Sequence, residues 1–289
     1  MTKITIIGNP GKHHNVKKIE ISIRKYLEKF GLSPKRLYFI FVKNARQLGS
    51  IYRKSKKGME SLAWKEILRL AKVSFAQMGT LAYISKKNRK EGVPPIILAR
   101  VKGKILDEKL SHEVGHMKED EEGWDEIKGE ALGLLARDSI LFLEEGEGPV
   151  FFSQLCNVFF DVFANEMMCQ YGLNDCVFKI NQESLKNWIK ETPSRKERAE
   201  NLPNLRLYQL YQIMLAAFWS SLPPSYSNRK EGEQKLEKMI IDYIRKISME
   251  EEYRRIKLIL SKLKIPPEKN NIYQCGAEII ELAREFLEK

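Results

Sequence analysis

Two histidines four residues apart, with a glutamate directly after the first, are the part of this chain whose types and spacing do chemistry: His112-Glu113-Val114-Gly115-His116. On a helix, positions i and i+4 share a face, so both imidazoles reach one ion, and the pattern is that of a zinc site with Glu113 beside the metal. Leu106, Leu110, Val114 and Met117 form an apolar stripe next to the histidines, which predicts a helix at the edge of a core. The chemistry implied is hydrolysis. A zinc ion there acidifies water and polarises a carbonyl, while Glu113 takes the water's proton as general base and passes it to a leaving amine.

A catalytic zinc takes three protein ligands and keeps a position open, so a further ligand must come from elsewhere. The remaining histidines are His13 and His14, and the elongated HExxHxxGxxH pattern fails because Glu119 and Glu122 stand at its glycine and histidine positions. A carboxylate is left. On a helix over Val150–Tyr171, at about 100° per residue, Glu166 falls inside the stripe of Leu155, Phe159, Val162 and Phe163. A buried carboxylate is tolerated when it binds a metal or a cation, so Glu166 is the expected third ligand, with a buried ion pair as the alternative. Asn157, Asp161 and Asn165 fall on the opposite side, facing water or a neighbouring segment. Asp138, among Ile127, Ala131, Leu134 and Phe142, is the rival ligand by the same burial argument. Glu126, Glu130, Arg137 and Glu144 form a solvated stripe, and Glu119–Glu122 reads as a solvated acidic loop.

With this motif the sequence resembles the zincin metallopeptidases, whose fold sets the HExxH helix beneath a twisted sheet in an upper lobe, with a helical lower lobe. Asn165-Glu166 is similar to the Asn-Glu pair on the glutamate helix of the thermolysin-like gluzincins. The spacing departs from that family: 49 residues stand between His116 and Glu166, and a helix over Asp125–Leu143 accounts for the excess. The resemblance implies a peptidase holding zinc through His112, His116 and Glu166, with peptides or proteins as substrates. It also implies a tyrosine donor to the oxyanion, for which Tyr171, Tyr208 and Tyr211 are candidates. An edge strand pairing with an extended substrate is implied too, with Leu81–Ser85 in that role.

The elements that must position these residues are legible in outline. Lys3–Ile7, Leu37–Val42, Leu81–Ser85 and Ile96–Val101 are rich in β-branched and aromatic residues and read as strands, with helical spacing over Ile19–Phe30 and Leu62–Lys72. From Leu106 onward the periodicity is helical: Leu106–Lys118, Asp125–Leu143, Val150–Tyr171, Leu205–Ser221, Glu233–Ile247, Glu250–Leu263 and Ile272–Leu287. Breaks are expected at Gly146–Pro149, Thr192–Pro203, Leu222–Gly232 and Ile265–Asn271. The fold class is therefore α+β and zincin-like: a mixed α/β lobe over residues 1–120, with a sheet above the motif helix, then a helical lobe over 121–289.

Composition bounds the rest. Hydrophobic residues at 43% and charged ones at 30% are those of a globular protein with a full core. The most apolar stretch, Val150–Met168, is interrupted by six polar residues and reads as a core helix, not a membrane span. No N-terminal secretion signal is read, and Cys156, Cys169, Cys176 and Cys275 form no CxxC pair, which suits reduced thiols in a cytoplasm. Gly8 and Gly11-Lys12 after the first strand have the wrong spacing for a phosphate loop. Lys86–Lys90 is a basic run without interleaved aromatics. The net charge of +12 is spread along the chain among glutamates, and it motivates the alternative function: a zincin-fold binding protein, associated with nucleic acid, whose metal is structural or vestigial.

Overall fold

A computed structural model describes residues 2–10, 14–42, 81–84, 86, 94–101, 105–139, 148–199 and 205–288, with side chains throughout except at 191–199 and 205. The chain divides into two units, Met1–Glu122 and Gly123–Lys289. The fold class is α+β, mostly helical, with one small mixed sheet.

The first unit comprises β1 (Lys3–Ile7), α1 (Val16–Lys29), β2 (Arg36–Val42), β3 (Leu81–Ile84), β4 (Ile96–Arg100) and α2 (Asp107–Glu121). The sheet order is β1-β2-β4-β3; β1, β2 and β4 are mutually parallel, and β3 runs antiparallel to β4. Strand β2 is buried from Leu37 to Val42 and β4 from Ile96 to Ala99, the continuous apolar runs of central parallel strands covered on both faces. Helix α1 starts at Asn15, whose side chain accepts the Lys18 N–H at 3.1 Å. It buries Ile19, Ile23 and Leu27, and packs against α2. Gly8 ends β1 at φ +90°, and a Cβ there would stand 2.5 Å from the Phe41 carbonyl oxygen. Close approach of two strands demands this glycine, independently of any phosphate.

The second unit comprises α3 (Trp124–Asp138), α4 (Gly148–Gln170), α5 (Asn174–Ala199), α6 (Leu205–Ser220), α7 (Arg229–Lys238), α8 (Ile241–Lys246), α9 (Glu250–Ser261) and α10 (Lys269–Glu288). Helix α4 touches α3, α5 and α6 and buries Phe151, Leu155, Val158, Phe159 and Phe163, so it is the unit's core helix. Gly276 lets α10 approach α3 closely, since a Cβ there would overlap the Leu135 side chain. Two buried polar pairs sit in this core: Trp188 Nε1 donates to Gln212 Oε1 at 3.0 Å, and Ser220 Oγ and Tyr253 OH are 2.7 Å apart.

Several expected boundaries moved. Helix α5 covers a stretch for which no helix was expected and continues through the expected break at Thr192, with Pro193 inside it. Proline removes one backbone bond there, while Val177, Leu185 and Trp188 bury the helix's preceding turns. The expected single helix Glu233–Ile247 is two, α7 and α8. Leu236, Ile240 and Ile244 are all fully buried, so one i, i+4 stripe runs through the break and periodicity is blind to it. Expected features at Leu62–Lys72, Ser85, Lys87–Lys90 and Gly11-Lys12 lie outside the described residues, as does the end of the Asp125–Leu143 helix.

Among the described residues no helix is long and apolar enough to cross a membrane. All four cysteines are free thiols; Cys169 and Cys275 are buried, and Cys156 and Cys176 are half-buried. Burial pushes the Cys156 thiol up to about 12 and the Cys275 thiol to about 11.

Candidate metal centre

Helix α2 carries the histidine motif. Asp107 and Glu108 sit in its first turn and Lys118 in its last, the charge order that the helix dipole favours. Leu110, Val114 and Met117 are buried, as the apolar stripe requires. The N-terminal end is tied to α1: Tyr26 OH donates to Asp107 Oδ2 at 2.5 Å, and Lys25 Nζ lies 3.6 Å from the same oxygen. Burial alone would raise the Asp107 carboxyl, but the hydrogen bonds from Ser22 and Tyr26 and the charge of Lys25 outweigh it and hold the group below its ordinary range.

The His112 and His116 rings lie with centroids 4.7 Å apart and planes at 78°. Their ligand atoms come within 4.8 Å of each other. Two nitrogens bound to one tetrahedral zinc are about 3.4 Å apart, so a small side-chain adjustment lets the pair share an ion. His116 Nδ1 is 2.7 Å from Glu119 Oε2, and Glu119 is completely buried. An ionised carboxylate only accepts, so the proton belongs on Nδ1 and the lone pair on Nε2.

Glu113 is 7% exposed, and its Oε2 accepts the backbone N–H of Tyr83 at 2.6 Å. Tyr83 lies on β3, the edge strand among the described residues, which packs on α2. A second tie lies two turns further on, where Asp120 Oδ2 accepts from Tyr83 OH at 2.7 Å and from the Lys86 N–H at 2.5 Å. Glu113 and Asp120, seven residues and so about 10.5 Å apart along the helix axis, thereby fasten β3 to α2 at two points.

The expected acidic loop is not a loop. Helix α2 runs to Glu121, Glu119 is buried against His116, and Asp120 binds β3; the outward residues Glu121 and Glu122 pair with Lys118 Nζ at 2.5 and 2.9 Å. Glu119 and Asp120 are thus site residues that charge counting missed. The available signal was the position of Glu119 one turn after His116.

Glu166 belongs to α4 in the second unit and is 1% exposed. Its Oε1 accepts from Gln170 Nε2 at 3.0 Å and from Ser225 Oγ, and its Oε2 accepts the Ser225 N–H at 3.2 Å. Neutral donors therefore compensate this buried carboxylate where a cation was the expected alternative to metal. Asn165, expected on the solvated side, is 2% exposed, whereas Asp161 is half-buried. Asp138 lacks the burial that made it a rival ligand: its side chain is 41% exposed and meets Arg137 Nε at 3.1 Å and Tyr273 OH at 3.0 Å. His14 is engaged elsewhere, with Nε2 3.3 Å from the Val101 carbonyl and its ring stacked on Phe41. Tyr171, Tyr208 and Tyr211 all belong to the second unit, where Tyr208 and Tyr211 meet edge to face.

Compared with protein-family models, curated proteins and solved structures, the chain matches none, and the reading of the centre rests on its own residues.

Proposed function

We propose that the chain is a zinc-dependent metallopeptidase of zincin type, with His112 and His116 as metal ligands and Glu113 as general base. The observation that carries this reading is the pairing of adjacent histidine rings with Glu119 on His116 Nδ1, which readies Nε2 for a metal. Bound zinc supplies Lewis acidity and lowers the pKa of water towards neutrality. Glu113 accepts the proton of the attacking water and delivers it to the leaving amine. A peptide extended along the outer edge of β3 would run past Glu113, with its amide and carbonyl groups pairing to the strand.

A carboxylate completes the donor set. Glu166 is the candidate carried from the sequence, and its Oε2, with one hydrogen bond, keeps lone-pair capacity for an ion. Asp161, half-buried on the same helix, is the alternative.

Metal analysis of the purified protein after zinc supplementation and dialysis tests the reading, together with His112→Ala, Glu166→Ala and Asp161→Ala. The expected result is about one zinc per chain, lost on removing His112 and on removing one of the two carboxylates. Hydrolysis of a mixed peptide library by the zinc-loaded protein is the accompanying readout. A metal-free wild type overturns the enzyme reading. Salt-dependent binding of nucleic acid, for which the net charge of +12 is the motive, then becomes the reading to pursue.

A further inference from the structure

The second unit contains a cavity of about 130 Å³ lined from α4, α6, α7 and α9. Val162, Phe218, Leu260, Leu263 and Ile265 give it an apolar wall, and three charged side chains, Arg229, Glu233 and Lys257, line it as well. These three side chains are 37%, 22% and 19% exposed in that order, so none is sealed off from a ligand. Exposed Pro224 and Ser261 also line the cavity and open it to solvent. An apolar pocket with a few polar groups that fix orientation is the usual form of a small-molecule site.

Lys257 carries the charge that its surroundings answer least. Its nearest carboxylate oxygen, Glu237 Oε1, is 3.5 Å away and already accepts from Tyr253 OH at 3.2 Å, and the Tyr253 ring centroid is 5.7 Å from Nζ. Charge-assisted hydrogen bonds run at about 2.7–2.9 Å, so among the described residues its three protons find no bond of that strength. Lys128, buried in the same unit, is the satisfied case, with Asp125 Oδ1 at 2.8 Å. Arg229 and Glu233 are each half engaged: Glu233 Oε1 accepts from Arg229 Nε at 3.0 Å and from the Leu222 N–H at 2.9 Å. The two terminal nitrogens of Arg229 and Oε2 of Glu233 make no hydrogen bond to a described residue. The wall thus presents unspent donors together with an unspent acceptor, and the charges of Arg229 and Lys257 cancel those of Glu233 and Glu237. A ligand with a negative and a positive end matches that balance better than a plain anion or cation. An apolar cavity of roughly 150 Å³ accommodates a benzene ring, so the space here takes an apolar body of about four to six carbons.

We propose that this cavity is a binding site for a free apolar α-amino acid of about the size of leucine, with its carboxylate on Arg229 and Lys257, its ammonium on Glu233 and its side chain against the apolar wall. A residue inside a peptide lacks both charges and a terminal residue lacks one, so the free amino acid alone uses every group. The site stands on residues separate from His112, Glu113 and His116, so it holds whether or not the metal reading does.

The test is calorimetric titration of the full chain with L-leucine and with three relatives that each lack one feature: leucinamide the carboxylate, 4-methylpentanoate the ammonium, and glycine the side chain. Leucine should bind at least about tenfold more tightly than any of them, since each loses a charged hydrogen bond or the apolar contact. Lys257→Met should weaken leucine by a similar factor and leave leucinamide unchanged, and Val162→Phe, which fills the cavity, should abolish leucine binding. The second variant keeps the test decisive if the first fails to fold. Leucine affinity should be the same for zinc-loaded and metal-free protein, and binding that requires zinc overturns this site in favour of the metal. Equal affinity for 4-methylpentanoate overturns the amino acid, because Glu233 then plays no part. Absence of leucine binding at millimolar concentration overturns the site and leaves the cavity to water.

Discussion

Glu119 Oε2 lies 2.7 Å from His116 Nδ1, and the glutamate is wholly buried while the histidine retains some exposure. The carboxylate thereby fixes both the tautomer and the orientation of the ring from behind. Glu119→Gln preserves the shape and removes the charge, and the expected effect is a 10–100-fold loss of zinc affinity. Competition with a chromophoric chelator measures it, and unchanged affinity would mean that Glu119 is merely packed there.

Glu113 is held against β3 by the Tyr83 N–H at 2.6 Å, and in the proposed function it is the base and not a metal ligand. Glu113→Gln keeps a hydrogen-bonding side chain in place without a base. Zinc content should stay at the wild-type level while turnover falls by about 10²–10⁴-fold. A variant that hydrolyses peptides at the wild-type rate rules out this general base.

Asp107 anchors the start of the motif helix, with its carboxyl below its ordinary range because the hydrogen bonds of Ser22 and Tyr26 and the charge of Lys25 outweigh burial. Its folded pKa is the lower one, so the unfolded chain binds more protons in acid. The stabilisation is therefore full above the unfolded value, about 3.9, and is lost as pH falls through the folded one. Urea unfolding of the wild type and Asp107→Asn should differ at pH 7 and converge towards pH 3. A constant difference between them would refute the linkage.

Lys128 is fully buried in α3, with Nζ 2.8 Å from Asp125 Oδ1 and 4.5 Å from the centroid of the Phe160 ring. Lys128→Met strands the Asp125 carboxylate, at 5% exposure, and should destabilise by about 3–5 kcal/mol. Adding Asp125→Asn removes the stranded charge and should recover most of the loss. Denaturant midpoints decide, and a double variant as unstable as the single one contradicts the mechanism.

The motif helix was legible because its spacing encodes its own geometry. Histidines at i and i+4, flanked by Leu110, Val114 and Met117, specify both the helix and its buried side through local periodicity alone. The four described strands were legible for a similar reason, as short β-branched and aromatic runs. Helix α5 escaped because its buried stripe, Val177, Asn181, Leu185 and Trp188, includes a polar residue, and Pro193 suggested an end.

Partners that depend on distant segments were beyond any periodic reading. The sequence by itself determined the donor types, the helical face shared by His112 and His116, and an apolar stripe that draws Glu166 inward. Only the tertiary structure decided that Glu166 meets Ser225, 59 positions away, that Glu113 meets the edge of β3, and that Asn165 is buried beside a cavity. The physical reason is that burial is predictable from one helix's pattern, whereas the compensation of a buried polar group comes from whichever donor the packed chain brings to it.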